Sequence, residues 1–109
     1  MKFKFLGCGD AFGSGGRFNT CFLVDRGHSR FLIDCGASSM VAMGHFNVDP
    51  DSIDTVIVSH CHGDHFGGLA FLLRALRLVY GRARPLIIAG PEGIGRRLDE
   101  SLEAAFPGA

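Results

Sequence analysis

The order of the apolar segments along the chain restricts the sheet topologies that this sequence can form. Three short strands are predicted first, at residues 2–6, 21–25 and 31–34. The second and third are separated by Arg-Gly-His-Ser at positions 26–29, a sequence typical of a hairpin turn. The sequence therefore predicts a sheet that opens with antiparallel strands.

Strands alternate with helices in the rest of the chain. A weak helix is predicted at residues 37–46, a buried strand at 55–59, a largely apolar helix at 67–80, a second buried strand at 85–89 and an amphipathic helix at 91–106. Such alternation is typical of parallel strand pairs. The predicted fold class is therefore α/β with a mixed sheet.

Length and composition limit the class of protein. A chain of 109 residues makes one domain, and 47% hydrophobic with 20% charged residues excludes a disordered composition. No apolar stretch reaches the ~18–20 residues that cross a bilayer, and the N-terminus lacks the apolar core of a signal peptide. We therefore expect a soluble, cytoplasmic protein with no membrane partner.

The four cysteines are Cys8, Cys21, Cys35 and Cys61, and none belongs to a C-x-x-C pair. Nothing in the sequence indicates an oxidising compartment, so we expect reduced thiols rather than disulfides. Cys8, Cys21 and Cys35 adjoin glycines or apolar runs and are predicted to be small buried residues.

Charge is balanced overall but uneven along the chain. Lysine and arginine equal aspartate and glutamate in number, so no overall field attracts nucleic acid or a membrane. From Arg74 to Arg97, however, six arginines are accompanied by one acidic residue, Glu92. This basic segment is either a strip that contacts phosphates or a set of solvated helix faces, and the sequence leaves both open.

The chemistry is concentrated in the hexapeptide HCHGDH at positions 60–65, directly after the first predicted buried strand. Imidazole and carboxylate are ligands of Zn²⁺ and related ions. If the backbone stays extended, His60 and His62 point to the same side and can share one ion. If the chain then turns at Gly63, Asp64 and His65 face a second position, which suits a two-metal site. The alternative is a solvated, histidine-rich turn or an adventitious metal site.

The pattern H-x-H-x-D-H after a hydrophobic strand resembles the metal motif of the metallo-β-lactamase superfamily. Further segments resemble its ribonuclease Z-like branch. They are FLGCG at 5–9, RFNT at 17–20, FLIDCG at 31–36, HGDHFGGL at 62–69 and PLIIAGPEGI at 85–94. The resemblance covers nearly the whole chain.

The resemblance implies an αββα sandwich with a metal centre at one edge of its sheets. His60 and His62 would bind the first of two divalent ions, and Asp64 and His65 the second. Zinc is the expected metal, with manganese or iron as alternatives. Asp64 would also orient or deprotonate the attacking water. Asp34 matches an acidic position that supports such a site from behind, although a plain turn acid at the end of a strand is the alternative.

The sequence also departs from this family. Its members have longer domains and complete the site downstream with two more histidines and a bridging aspartate. No histidine follows His65 here, and the only later aspartate is Asp99. Residues 1–109 therefore resemble the N-terminal half of such a domain, truncated at the C-terminus. One sheet face would remain open, so we expect a homodimer or pairing with the missing C-terminal half.

The function that the resemblance implies is a metal-dependent hydrolase that uses a two-metal-activated water. Its substrate would be a phosphodiester, RNA among the candidates, and the 109-residue chain alone would be inactive. Three alternatives stay open: a half-domain that binds metal or a partner without chemistry, an assembly element with a vestigial motif, or a hydrolase of another ester class such as thioesters or lactones.

Overall fold

A computed structural model describes residues 1–108, which form one mixed sheet and four helices. The strands are β1 (Lys2–Gly7), β2 (Cys21–Asp25), β3 (Arg30–Ile33), β4 (Thr55–Ile57) and β5 (Ile87–Ala89). The helices are α1 (Ser39–His45), α2 (Gly63–Phe66), α3 (Leu69–Leu78) and α4 (Ile94–Ala105), with short 3-10 turns at Ser14–Gly16 and Pro50–Ser52. No helix in this part of the chain is long and apolar enough to span a membrane.

The five strands lie across the sheet in chain order. β1, β2 and β3 pair antiparallel, whereas β3, β4 and β5 pair parallel. The predicted hairpin turn is closed by a bond from the Arg26 amide to the Ser29 carbonyl, 2.9 Å long. The predicted α/β class with a mixed sheet is therefore confirmed.

One face of the sheet carries the hydrophobic core. Leu23, Leu32 and Val56 are register neighbours on β2, β3 and β4, and each is at most 3% exposed. They share one buried cluster with Met43 of α1 and Leu72 of α3. The helices therefore cover this face, and alternate strand residues point into the core beneath them.

The opposite face is apolar and uncovered by the described residues. Phe5, Phe22, Ile33 and Ile57 form one row across four neighbouring strands. We call this surface the open face and define it by Phe3, Phe5, Phe22, Phe31, Ile33, Ile57 and Ile87. Ile57 is 42% exposed and Ile87 60%. β4 and β5, which the sequence predicts as buried strands, are therefore covered on one face only, and this agrees with the expectation that one sheet face stays open.

The apolar helix predicted at 67–80 is shorter than expected. A four-residue helix, α2, ends at Phe66, and α3 begins at Leu69 after two glycines. Leu72 and Leu76 are buried, whereas Leu78 and Val79 are mostly exposed. One side of α3 packs on the core, and its C-terminal end meets solvent.

Two arginines of the basic segment hold loops together. The buried Arg82 guanidinium donates hydrogen bonds to the carbonyls of Ile53 (2.7 Å) and Pro85 (3.1 Å). Arg84 pairs with Asp54 at 2.7 Å. These bonds join the loop before β4 to the loop before β5, so neither arginine belongs to a free phosphate-binding strip.

The four thiols are free, as expected, but they differ in burial. Cys21 and Cys35 are buried, Cys61 is half-buried and Cys8 is exposed. The predicted burial of Cys8 is wrong. Strand β1 ends at Gly7, so Cys8 lies just outside the sheet, and the register of β1 with β2 shifts between Phe5 and Gly7.

This difference gives an expected labelling pattern. A short pulse of iodoacetamide should modify Cys8 and Cys61 and spare Cys21 and Cys35, because the thiolate is the nucleophile and burial raises the pKa of Cys21 to about 11. Mass spectrometry of peptides measures the pattern, and the same pulse in denaturant should modify all four. Equal labelling of Cys8 and Cys35 in the folded protein would contradict the described packing.

Candidate metal centre

The site lies where two neighbouring parallel strands end. Ile33 and Ile57 are register partners, so the residues that follow β3 and β4 leave the sheet at the same edge. Asp34 directly follows β3, and Ser59 and His60 come shortly after β4. The amide of Asp34 donates to the Ile57 carbonyl at 2.8 Å and keeps the two chain segments together.

The three histidines of the motif gather at this edge. The ring centroids of His60 and His62 are 4.8 Å apart, and those of His60 and His65 are 4.1 Å apart. His60 and His62 therefore lie on the same side of the chain, as the extended backbone predicts. His62 is the N-cap of α2, and this turn brings the His65 ring back towards the His60 ring.

Asp34 lies behind the histidines and is 3% exposed. Its carboxylate accepts from the Ser59 amide (2.7 Å), the Ser59 hydroxyl (2.7 Å) and Nδ1 of His65 (2.6 Å). Its backbone has a φ of 62°, a left-handed conformation that is uncommon outside glycine, although aspartate tolerates it better than most residues. With this backbone conformation the carboxylate bonds to Ser59 and His65 of the site, and among the described residues it makes no hydrogen bond within a turn of its own.

Backbone contacts fix α2 against the segment after β3. The Cys35 amide donates to the His65 carbonyl at 2.8 Å, and the Gly68 amide donates to the Cys35 carbonyl at 2.9 Å. A Cβ atom at Gly36 would collide with the carbonyl oxygen of Asp64. Glycine is therefore required here for the close approach that positions the motif.

The donor set fits a divalent metal by its chemistry. Three imidazoles and the Asp64 carboxylate are the ligand types that zinc, manganese and iron accept. Both ring nitrogens of His65 face carboxylates, because Nε2 also lies 3.2 Å from Asp64. A cation between Nε2 and Asp64, either a proton or a metal ion, satisfies that arrangement.

The donor atoms do not form a complete metal coordination sphere. Within residues 1–108, no group of three or more His, Cys, Asp or Glu side chains has the geometry to hold a metal ion. His65 and Asp64 contact each other instead. The residue types of the motif and their clustering thus fit a metal ion, but the coordination sphere is incomplete among the described residues.

Ser59 is a site residue that the sequence interpretation did not single out. The sequence predicts Ser59 at the end of a buried strand, whereas β4 ends at Ile57 and Ser59 is exposed. Its hydroxyl contacts both Asp34 and His60. The available signal was a polar side chain between an apolar run and the first histidine.

A mixed sheet that carries an H-x-H-x-D-H cluster at the ends of its parallel strands is the arrangement of the metallo-β-lactamase fold, and this chain has that fold. A family model described as Anti-Pycsar protein Apyc1 matches residues 1–106. The chain belongs to that family.

Curated relatives are similar over most of this chain. Ribonuclease Z from Clostridium beijerinckii is 37% identical over 95 residues, which cover 87% of this chain and 30% of that protein. Ribonuclease Z from Methanococcus maripaludis is 34% identical over 106 residues, which cover 97% of this chain and 34% of that protein. The chain thus spans about a third of the length of these relatives.

Solved structures agree on the fold. The short form of human tRNase Z superposes with a TM-score of 0.83 at 28% identity, covering 96% of this chain and 39% of that one. YhfI, a metallo-β-lactamase fold protein from Bacillus subtilis, gives 0.74 at 23% identity, covering 90% of this chain and 41% of that one, and shows likeness of fold alone. The comparisons confirm the resemblance seen in the sequence.

Proposed function

We propose that this chain is part of a metal-dependent hydrolase that cleaves phosphodiester bonds, with RNA as the first candidate substrate. The observation that carries the proposal is the contact of three imidazoles at one sheet edge, backed by the buried carboxylate of Asp34. Similarity to curated ribonucleases Z supports the substrate class.

His60 and His62 would hold one divalent ion, and Asp64 and His65 a second. Zinc is the first choice, with manganese or iron as alternatives. When bound, such ions lower the pKa of water to ~7 and neutralise charge on the attacked phosphate.

The chain's own residues orient this chemistry. Asp34 holds the His65 ring through Nδ1, and the Asp64 carboxylate can orient water or accept its proton. Arg97 lies beside the motif, 3.5 Å from the Cys61 carbonyl, and could contact a phosphate. Arg97 also lies 3.9 Å from Glu100, whereas Arg74 and Arg77 have no acidic partner among residues 1–108 and are further candidates for that task.

Zinc titration of the metal-free protein tests the metal centre. We expect weak binding that drops at least ~10-fold in His62→Ala, because a ligand is lost. His28→Ala is the matched control, since His28 lies in the hairpin turn, and it should bind zinc like the wild type. No binding by the wild type, or an equal loss in both variants, would contradict the proposal.

Hydrolysis of a chromogenic phosphodiester with added Zn²⁺ or Mn²⁺ tests the completeness of the site. We expect the chain alone to turn over poorly or not at all, because four protein ligands do not fill two coordination spheres. Turnover at ordinary enzyme rates of ~1–10³ s⁻¹ that disappears in His62→Ala would show that the site is complete.

A half-domain that binds metal or a partner without chemistry is the second candidate. Two observations favour it: the unfinished coordination sphere and the open face. A second copy of the chain or a C-terminal half would cover that face.

A cytoplasmic location is part of the proposal and is supported by the four free thiols.

A further inference from the structure

We propose that Ser59 is a positioning residue of this metal centre: its hydroxyl connects the Asp34 carboxylate to Nδ1 of His60 and leaves Nε2 of that ring free for a metal ion. The inference rests on the proposed function, because it assigns a task at the same site.

The hydrogen bonds around Ser59 allow one assignment of protons. Its Oγ lies 2.7 Å from Oδ2 of Asp34 and 3.1 Å from Nδ1 of His60. An ionised carboxylate only accepts, so the single hydroxyl proton goes to Asp34. The serine oxygen then accepts from His60, whose Nδ1 carries the ring proton. Nε2 of His60 therefore keeps its lone pair.

Asp34 acts on the second ring directly. Nδ1 of His65 lies 2.6 Å from Oδ2 of Asp34, so this nitrogen is also the donor. Among the described residues, Asp34 reaches His60 through Ser59 and makes no hydrogen bond to that ring itself. One buried carboxylate thus sets the tautomers of two rings. Histidines that bind metals commonly donate their other N–H to such a partner, which fixes tautomer and ring orientation.

The proton position on the rings tests this inference without any metal. Long-range ¹H–¹⁵N spectra of the metal-free protein, at a pH where imidazole is neutral, distinguish the two tautomers. We compare the wild type with Ser59→Ala and Ser59→Thr. His60 should carry its proton on Nδ1 in the wild type and in Ser59→Thr, and should lose that preference in Ser59→Ala. His65 is the internal control and should stay protonated on Nδ1 in all three proteins.

Zinc affinity gives the second readout. Loss of an outer hydrogen-bond partner typically weakens metal binding by ~10–100-fold. Because Ser59 is exposed and water replaces part of its bond, we expect about a tenfold loss in Ser59→Ala, at the low end of that range. Ser59→Thr keeps the hydroxyl and should restore the affinity.

Three outcomes overturn the inference: an unchanged His60 tautomer in Ser59→Ala, a Ser59→Thr protein that behaves like Ser59→Ala, or a simultaneous change at His65, which would indicate a structural disturbance. A wild type that binds no zinc would contradict the proposed metal centre instead. The His60 tautomer of the metal-free protein would then still decide the role of Ser59.

Discussion

Asp34→Ala should destabilise the protein by about 3 kcal/mol, because it leaves partly buried donors unpaired at ~1–3 kcal/mol and places alanine in a left-handed conformation at ~1–2 kcal/mol. The donors are the amide and hydroxyl of Ser59 and Nδ1 of His65, and the φ of residue 34 is 62°. Urea unfolding measures the change as a lower midpoint at an unchanged slope.

Two further variants separate the causes. Asp34→Gly also removes the hydrogen bonds but relieves the backbone, so it should be about 1 kcal/mol more stable than Asp34→Ala. Asp99→Ala is the matched control, since Asp99 is exposed on α4, and it should stay within ~0.5 kcal/mol of the wild type. An Asp34→Ala protein as stable as the control would show that the described hydrogen bonds do not hold the site.

The open face should make the chain associate, and charge placed on it should prevent this. Phe5 is 63% exposed and Ile87 60%. Each such side chain contributes ~1.5–3 kcal/mol when buried, so the double variant Phe5→Lys and Ile87→Lys should weaken a dimer by more than ~100-fold. Sedimentation at micromolar concentration should show a dimer for the wild type and a monomer for the variant.

A second double variant, Leu78→Lys and Val79→Lys, is the control for this experiment. Both residues are apolar and at least 67% exposed, but they lie at the end of α3 and away from the open face. This protein should associate like the wild type. A wild-type monomer that binds no hydrophobic dye would contradict the proposed association, both with a second copy and with a C-terminal half.

Much of the fold could be predicted because its signals are local. The strand at Cys21–Asp25 lies where the apolar run indicates, and the turn chemistry at 26–29 correctly predicts an antiparallel neighbour. Helix bounds were less accurate. The helix predicted from residue 67 begins at Leu69, since the motif forms its own short helix first.

Burial could not be predicted from the same runs. An apolar run has the same sequence pattern whether one or both faces of the strand are covered. The sequence therefore predicts a buried β5, although Ile87 is exposed. The basic segment shows the same limit. The sequence leaves Arg82 and Arg84 as candidates for phosphate contacts. In the structure they bond to Ile53 and Asp54, which lie about thirty residues away in the chain, so no local pattern indicates these partners.

The type and spacing of the metal-ligand candidates follow from the sequence alone, since three histidines and an aspartate within six positions after a strand form a local pattern. The groups that support these ligands are brought together only by the fold. Asp34 is separated by 25 residues from Ser59 and by 31 from His65, and these groups meet because two parallel strands end side by side. Hydrogen bonds between groups so distant in the chain depend on strand pairing, which no local pattern specifies.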